Sequence, residues 1–158
     1  MEKIAVFPGS FDPITVGHES VVLRALPLFD RVVVAVGHNA AKRTMFTESQ
    51  RVAMIERVFA QQPTVTVMPY EGLTVELCHR LGARFILRGL RTSADFEFER
   101  AIAQVNKAMH PEIETVFMLT RPEHTPISSS IIRDIMLHHG DPSPFLPQRL
   151  DISQFPFQ

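Results

Sequence analysis

The chain has 158 residues, of which 45% are hydrophobic and 21% charged, and its net charge of -1 argues against a nucleic-acid-binding protein. Its single cysteine, Cys78, excludes an internal disulfide and a cysteine-based metal cage. No apolar run is long enough for a signal peptide or a membrane span, so we expect a soluble, cytoplasmic protein with one domain over residues 1–158 and no membrane or nucleic-acid partner.

Short apolar runs alternate with helix-like stretches along the chain. Strands are predicted at residues 4–7, 31–36, 65–68, 84–87 and 116–119. Helices are predicted at about 17–26, after a capping box at 47–50, at 74–81 with Gly82 as its end, at 94–109, and at 129–138 stopped by Gly140. This alternation predicts an α/β fold with a doubly wound, five-stranded parallel sheet. The proline-rich tail at 141–158 fits no clear element.

Several strand ends carry groups that suit phosphate. Gly17 and His18 open the first predicted helix, where unpaired backbone N–H groups favour anions. Lys42 and Arg43 follow the second strand, residues 88–91 follow the fourth, and the hydroxyls of residues 128–130 open the last helix. Each feature alone also fits an ordinary turn, a solvated charge or a helix cap. Together they predict phosphate binding at the carboxyl edge of the sheet.

Other common sites have no support in the sequence. The chain contains neither a Walker motif nor a G-x-G-x-x-G motif after the first strand, which argues against a P-loop kinase and a dinucleotide-dependent dehydrogenase. Its seven histidines show no metal-site spacing with cysteine or carboxylate partners, so we expect no structural zinc. Cys78 lies among apolar helix positions and is predicted to be packed core rather than a nucleophile.

Two motifs at these strand ends resemble the signatures of the nucleotidylyltransferase superfamily, T-V-G-H at 15–18 and I-S-S-S-I-I-R at 127–133. Three longer segments are similar to bacterial phosphopantetheine adenylyltransferases: P-G-S-F-D-P-I-T-V-G-H at 8–18, M-F-T-E-S-Q-R at 45–51 and R-G-L-R-T-S-A-D-F-E-F-E at 88–99. The resemblance extends from about residue 3 to residue 147.

This resemblance implies a Rossmann-like nucleotidylyltransferase fold and a homohexamer arranged as a dimer of trimers. The implied reaction combines ATP with 4′-phosphopantetheine to give dephospho-coenzyme A and pyrophosphate, the penultimate step of coenzyme A biosynthesis. Magnesium, carried mainly by the ATP phosphates, is the implied cofactor. Coenzyme A is a feedback inhibitor in several members, so it is a further expected ligand.

Site residues follow from the resemblance by position. Contacts with the acceptor are implied for Ser10, Lys42, Thr74 and Arg88. Contacts with ATP are implied for Ser10, Phe11, His18, Gly89, Leu90, Arg91, Glu99, His124, Thr125, Pro126, Ile127, Ser128, Ser129 and Ser130. Three features depart from the family: Ser10 replaces a frequent Thr, His124 stands where many members have Trp, and the terminal segment D-I-S-Q-F-P-F-Q does not resemble the usual helix.

The chemistry itself needs no general base. A phosphate monoester has a second pKa of about 6, so the acceptor is already an anionic nucleophile at neutral pH. We therefore expect His18 to donate a hydrogen bond to the α-phosphoryl oxygens in the transition state. Lys42 and Arg88 on the acceptor side and Arg91 on the ATP side would offset the repulsion between the two anionic substrates. No covalent intermediate is expected.

Two alternatives remain open at this point. One keeps the reaction type and changes the substrates, as in a nicotinamide mononucleotide adenylyltransferase or a cytidylyltransferase, although the segment at 88–97 favours the pantetheine acceptor. The other is a nucleotide-binding regulatory module without catalysis. The presence of His18, Lys42 and Arg91 argues against that module, because a protein that only binds a nucleotide does not need groups for both ATP and an acceptor.

Overall fold

Five parallel strands form the centre of the molecule, which a computed structural model describes over all 158 residues. The strands are β1 (Ile4–Gly9), β2 (Arg31–Gly37), β3 (Val65–Tyr70), β4 (Phe85–Leu90) and β5 (Glu114–Leu119). Their order in the sheet is β3-β2-β1-β4-β5, with all pairs parallel. The chain thus winds outward in both directions from β1 and β4, and a crevice opens at the carboxyl ends of these two strands. The predicted fold class is confirmed.

Five α-helices complete the α/β pattern: α1 (Val16–Ala25), α2 (Glu48–Val58), α3 (Thr74–Leu81), α4 (Ser93–Met109) and α5 (Ser129–Leu137). Thr15, Thr47 and Thr92 cap three of them through reciprocal capping boxes. Such caps fix where a helix begins and contribute about 1 kcal/mol each. The predicted capping box at 47–50 and the predicted end of α3 at the left-handed Gly82 are both confirmed.

The sheet is covered on both faces. In β1, Ala5 and Phe7 point into the larger core, which α1, α2 and α5 cover, whereas Ile4 and Val6 point into a smaller core beneath α3. Burial on both faces explains why β2 reads as one continuous apolar run. Cys78 lies in the smaller core, where burial raises the pKa of its thiol to about 12, so its predicted role as packed core is confirmed.

The fourth strand extends further than the sequence suggested. It was predicted to end at residue 87, but residues 88–90 continue it, and Gly89 pairs in register with Met118. A Cβ at Gly89 would lie 3.1 Å from a Val21 methyl group, so the glycine lets α1 approach the strand. Residues 88–90 are therefore held by the sheet rather than by a loop.

The end of α5 also differs from the prediction. Gly140 was predicted to stop the helix, but it is His139, with φ of 61°, that adopts the left-handed conformation. The N–H of Gly140 then donates to the carbonyl of Ile135 at 2.8 Å, which closes the helix. The helix consequently ends at Leu137, one residue earlier than predicted.

The tail at 141–158 belongs to the folded domain. It contains two short 3-10 turns, at Ser143–Phe145 and Ile152–Gln154. Leu146, Leu150 and Phe155 are buried in the larger core. The tail thus packs as an apolar cover with little regular structure, which explains why periodicity did not reveal it.

One helix leaves an apolar face uncovered. No residue of α4 is buried, and five of its large apolar side chains are exposed: Phe96, Phe98, Ile102, Val105 and Met109. Four of them, Phe98, Ile102, Val105 and Met109, recur every three or four residues and therefore lie along one side of the helix. None of the helices combines the length and apolar character needed to cross a bilayer.

Candidate active site

Two adjoining cavities open at the carboxyl edge of the sheet. The first, of about 550 Å³, lies between the β1–α1 turn, the end of β4 and the start of α5. The second, of about 620 Å³, lies between the ends of β2 and β3 and the side of α4. Seven residues line both cavities and define their junction: Pro8, Gly9, Ser10, Lys42, Arg88, Phe98 and Glu99.

His18, in the first turn of α1, lines the first cavity with its imidazole fixed by its neighbours. The N–H of Thr15 donates to Nδ1 of His18 at 3.0 Å, and the ring of Phe11 packs against the imidazole at a centroid distance of 5.0 Å. Because Nδ1 accepts this hydrogen bond, the ring proton lies on Nε2. Burial, together with the charges of Arg88 and Arg91, lowers the pKa of His18 from 6.5 to about 4. At neutral pH the side chain is therefore a neutral hydrogen-bond donor through Nε2.

Lys42 lies in the loop between β2 and α2, which we call the Lys42 loop (residues 38–47). Its Nζ is 3.3 Å from Oγ of Ser10, and this contact joins the loop to the turn after β1. Arg51, on α2, is buried beneath them and donates from Nη1 to the carbonyls of Ser10 and Gly37, at 2.6 and 3.3 Å. Arg51 thus ties the ends of two neighbouring strands together below the junction.

Asp12 is a buried carboxylate at the site that the sequence analysis did not single out. It is 2% exposed, and its two carboxylate oxygens accept from the N–H groups of Met45 and Phe46 at 2.8 and 2.9 Å. Arg133, on α5, donates to the carbonyl of Asp12 at 2.9 Å and lies 3.9 Å from its carboxylate. Asp12 therefore links the β1–α1 turn, the Lys42 loop and α5.

Arg88 and Glu99 form an ion pair at the junction. Two guanidinium nitrogens of Arg88 donate to the two carboxylate oxygens of Glu99 at 2.6 and 3.0 Å, a bidentate geometry. The third guanidinium nitrogen donates to the carbonyl of Pro8 at 2.6 Å. The carboxylate of Glu99, for which the resemblance implied an ATP contact, thus binds Arg88. Together with the bond to Pro8, this pairing fixes the orientation of the Arg88 side chain.

The start of α5 forms one wall of the first cavity. Ser128 caps the helix by accepting from the N–H of Ile131 at 3.2 Å, and the hydroxyl of Ser129 donates to the carbonyl of Pro13 at 2.8 Å. These bonds attach the helix start to the β1–α1 turn. The first N–H groups of an α-helix have no intrahelical partner and carry partial positive charge, so this wall favours anions.

Arg91 lies between the starts of two helices. Its Nη1 donates to the carbonyl of Ile127 at 3.4 Å, beside α5, and its Nε lies 3.6 Å from the carboxylate of Asp95 in the first turn of α4. Asp95 also accepts from the N–H of Thr92 as part of the capping box. The cation is therefore directed along the wall that the α5 start provides.

His124 is part of the lining of the first cavity. It stands beside Gly17, where an added Cβ would lie 3.8 Å from the Cβ of His124. The Nδ1 atom of His124 is buried and has no hydrogen-bond partner in the protein. A buried polar atom without a partner costs free energy, and a ligand that bonds to it would remove that cost.

Most of the predicted site residues come together. The first cavity is lined by Ser10, Phe11, His18, Lys42, Arg88, Gly89, Arg91, Glu99, His124, Ile127, Ser128, Ser129 and Ser130. Thr74 lines the second cavity, where its hydroxyl lies 2.9 Å from that of Tyr70.

Three predicted ATP contacts lie outside both cavities: Leu90, Thr125 and Pro126. The carbonyl of Leu90 accepts from the N–H of Thr120 at 2.8 Å, and the hydroxyl of Thr125 donates to the carbonyl of Arg121 at 3.4 Å. These three residues line neither cavity, and their contacts with ATP stay a prediction from the resemblance.

One cluster of potential metal ligands lies elsewhere. Ligand atoms of His79, His110 and Glu112 lie within 4.8 Å of one another, a grouping that residue spacing did not reveal. His79 is in the last turn of α3, and the other two precede β5. The cluster therefore lies at the amino edge of the sheet, opposite the cavities, and is not part of the candidate site.

Sequence comparison shows which family the chain belongs to. The chain is 49% identical over 148 residues to the phosphopantetheine adenylyltransferase of Flavobacterium psychrophilum, which covers 94% of this chain and 97% of that one. It is also 49% identical over 150 residues to the phosphopantetheine adenylyltransferase of Cytophaga hutchinsonii, and this alignment covers 95% of this chain and 100% of that one. The chain belongs to the phosphopantetheine adenylyltransferase family.

Two further comparisons agree with this family at a coarser level. The cytidylyltransferase-like family model matches residues 6–135, a range that contains both signature motifs. Among solved structures, a bifunctional NMN adenylyltransferase/ADP ribose pyrophosphatase from Francisella tularensis superposes with a TM-score of 0.72 at 16% identity. That alignment covers 99% of this chain but 47% of the longer protein. At this identity the likeness shows the fold alone, which is that of the nucleotidylyltransferases.

Proposed function

We propose that this protein transfers the adenylyl group of ATP to 4′-phosphopantetheine, giving dephospho-coenzyme A and pyrophosphate. The observation that carries the proposal is the junction of the two cavities, where Ser10, Lys42 and Arg88 line both. A reaction that joins two anions needs cations at the point where they meet, because their repulsion otherwise opposes close approach. Relatives named for this activity, at 49% identity over nearly the full chain, support the choice of substrates.

ATP is assigned to the first cavity. The start of α5 and Arg91 would hold the β- and γ-phosphates, since helix N-terminal N–H groups and a guanidinium both suit phosphate. His124, which lines the same cavity, offers an unpartnered Nδ1 that would bond to the adenine base. His18 also lines this cavity and would face the α-phosphate in this assignment.

Phosphopantetheine is assigned to the second cavity. Arg88 and Lys42 would hold its phosphate at the junction. Beyond them the wall combines apolar side chains of α4, Phe98 and Ile102, with the hydroxyl of Thr74. This mixture suits a flexible acceptor arm that carries both methylene and amide groups.

The proposed transfer is a single in-line displacement. An oxygen of the acceptor phosphate attacks the α-phosphorus of ATP, a new P–O bond forms, and the bond to the β-phosphate bridging oxygen breaks as pyrophosphate leaves with that electron pair. His18 would donate from Nε2 to the α-phosphoryl oxygen, whose charge distribution changes in the transition state. Lys42 and Arg91 would stabilise the entering and leaving sides. The side chains act by position and charge, without a covalent intermediate.

Magnesium is part of the proposal as the ion that accompanies ATP. The carboxylates that line the first cavity already have partners in the protein: Asp12 accepts from backbone N–H groups, Asp95 accepts from the N–H groups of Arg91 and Thr92, and Glu99 pairs with Arg88. These residues fit an ion held mainly by phosphate oxygens and water rather than by a protein cage. When bound, the ion would offset polyphosphate charge.

The exposed apolar face of α4 supports a proposal about assembly. A 17-residue helix without a buried residue is stable when its apolar side packs against another surface. We assign the part of this face that does not line the second cavity to further copies of the chain in a homohexamer, arranged as a dimer of trimers.

Coenzyme A contains both an adenylyl and a phosphopantetheine group, so we propose that it inhibits by occupying the same two cavities.

The acceptor assignment is tested by pyrophosphate release with ATP and magnesium. 4′-Phosphopantetheine is compared with nicotinamide mononucleotide and with unphosphorylated pantetheine, and the nucleotide product is identified by mass spectrometry. Release only with 4′-phosphopantetheine, with dephospho-coenzyme A as product, supports the proposal. Release with nicotinamide mononucleotide alone would reassign the acceptor, and no release with any acceptor would favour a binding module.

A further inference from the structure

The last three residues of the tail, Pro156 to Gln158, lie against the Lys42 loop. The backbone N–H of Gln158 donates to the carbonyl of Met45 at 2.9 Å, and its side-chain amide donates to the carbonyl of Thr44 at 3.3 Å. The ring of Phe157 packs edge-on against Phe46 at a centroid distance of 6.4 Å. We call residues 156–158 the strap.

The strap and Asp12 hold the same segment from two directions. Asp12 accepts from the N–H groups of Met45 and Phe46, whereas Gln158 donates to the Met45 carbonyl. Phe46 between them is fully buried. The base of the Lys42 loop is therefore fixed by backbone hydrogen bonds to a catalytic-site turn and to the tail.

The strap is itself anchored. The carbonyl of Pro156 accepts from the side chain of Gln50 at 2.8 Å, and Phe155 just before it is buried in the larger core. The guanidinium of Arg57, on α2, lies 4.7 Å above the Phe155 ring. These contacts give the strap a fixed position from which it can restrain the loop.

The rest of the Lys42 loop has few restraints of its own. Residues 41–43 are exposed, and the side chain of Lys42 has one hydrogen bond, to Ser10. Its backbone N–H adds a local turn bond to the carbonyl of Asn39. Gln158, Lys42 and Ser10 line a common small cavity of about 250 Å³, so the strap lies next to the acceptor side of the junction.

We propose that the strap is a positioning element for Lys42 and thereby sets the affinity for the acceptor phosphate. This inference rests on the proposed function, because it takes Lys42 as the acceptor-side cation. The physical reason is entropic: a lysine on a restrained loop loses less freedom when it binds phosphate than one on a free loop. Since the buried anchors of the tail lie upstream of residue 156, loss of the strap frees the loop and removes only one core contact, that of Phe157 with Phe46.

The test removes residues 156–158 or replaces Gln158 with proline, which lacks both donors. Arg149→Ala is the matched control, because Arg149 lies in the same tail but bonds to Gln61, away from the loop. Trypsin cleavage after Lys42 or Arg43 reports on the loop independently of activity. Steady-state kinetics give KM for each substrate.

For both strap variants we expect faster cleavage after Lys42 or Arg43. We also expect a KM for 4′-phosphopantetheine that is roughly tenfold higher, because binding of the acceptor phosphate is weakened. In both variants KM for ATP should stay close to that of Arg149→Ala, and in Gln158→Pro, which keeps Phe157, so should the melting temperature. Unchanged cleavage in both variants, or faster cleavage with an unchanged acceptor KM, overturns the proposal. If the wild-type chain has no transferase activity, the proposed function fails, while the cleavage rates still decide whether the strap holds the loop.

Discussion

The backbone N–H of Thr15 donates to Nδ1 of His18 at 3.0 Å, and this bond decides what His18 can do. Since Nδ1 accepts, the only ring proton lies on Nε2, and the low pKa of the imidazole keeps the ring neutral. The capping box that starts α1 thus also selects the tautomer of the side chain that we propose acts on the α-phosphate.

Replacing His18 with alanine should affect the rate more than ATP binding. We expect kcat to fall about 100- to 1000-fold, because the lost donor acts where charge changes in the transition state. KM for ATP should stay within a few-fold of wild type. Steady-state kinetics check this, with His138→Ala, an exposed histidine on the far end of α5, as control. An unchanged kcat in His18→Ala contradicts the assigned role.

The lowered pKa of His18 predicts a specific acid sensitivity. Between pH 6.5 and 4 the unfolded chain binds a proton that the folded chain excludes, so the free energy of unfolding rises with pH across this window. This stability is fully present above pH 6.5 and is lost as pH falls toward 4, by up to about 3 kcal/mol. Urea denaturation at fixed protein concentration measures it. His18→Gln should flatten this part of the profile; a profile identical to wild type would show that His18 is not the group responsible.

Glu99→Gln should impair turnover by loosening Arg88. The bidentate pair at 2.6 and 3.0 Å fixes the guanidinium at the junction, and a neutral amide reproduces one of the two bonds at most. We expect kcat/KM for 4′-phosphopantetheine to fall roughly tenfold or more, since a positioned cation stabilises the transition state better than a mobile one. Glu97→Gln, which alters an exposed pair with Arg100 on the same helix, is the control. Equal kinetics for the two variants would remove Glu99 from the mechanism.

Asp12→Asn should destabilise the fold as well as the site. The two carboxylate oxygens each accept a backbone N–H, and an asparagine amide leaves one of these buried donors facing an NH₂ group. We expect the free energy of unfolding to drop by about 2 kcal/mol. Denaturant titration beside the exposed Asp134→Asn measures the difference. A drop no larger than that of the control would mean that Asp12 does not hold the Lys42 loop.

Local patterns in the sequence predicted the frame of the fold well. The Thr47 capping box and Gly82 gave helix boundaries because caps depend on residues three or four apart. The apolar run of β2 indicated a strand buried on both faces. Strand ends placed His18, Lys42 and Arg88 at one edge, because parallel strands bring their carboxyl ends together.

Contacts between distant residues could not be predicted in this way. The pairing of Asp12 with Met45 and Phe46 spans more than thirty residues and follows from how the β1–α1 turn meets the Lys42 loop. Gly89 was read as a loop residue because its reason for being glycine is the approach of α1, a tertiary feature. The strap had no periodicity to identify it, since its bonds are to carbonyls of another segment.

The stereochemistry at the α-phosphorus tests the central claim most directly, namely that the adenylyl group passes in one step between the two cavities. The enzyme is given one diastereomer of ATP that carries sulfur at the α-phosphorus, together with 4′-phosphopantetheine, and the configuration of the product is determined by phosphorus NMR. A single in-line attack by the acceptor phosphate predicts inversion. Retention would require two displacements, and hence an adenylylated enzyme intermediate that this site is not expected to form.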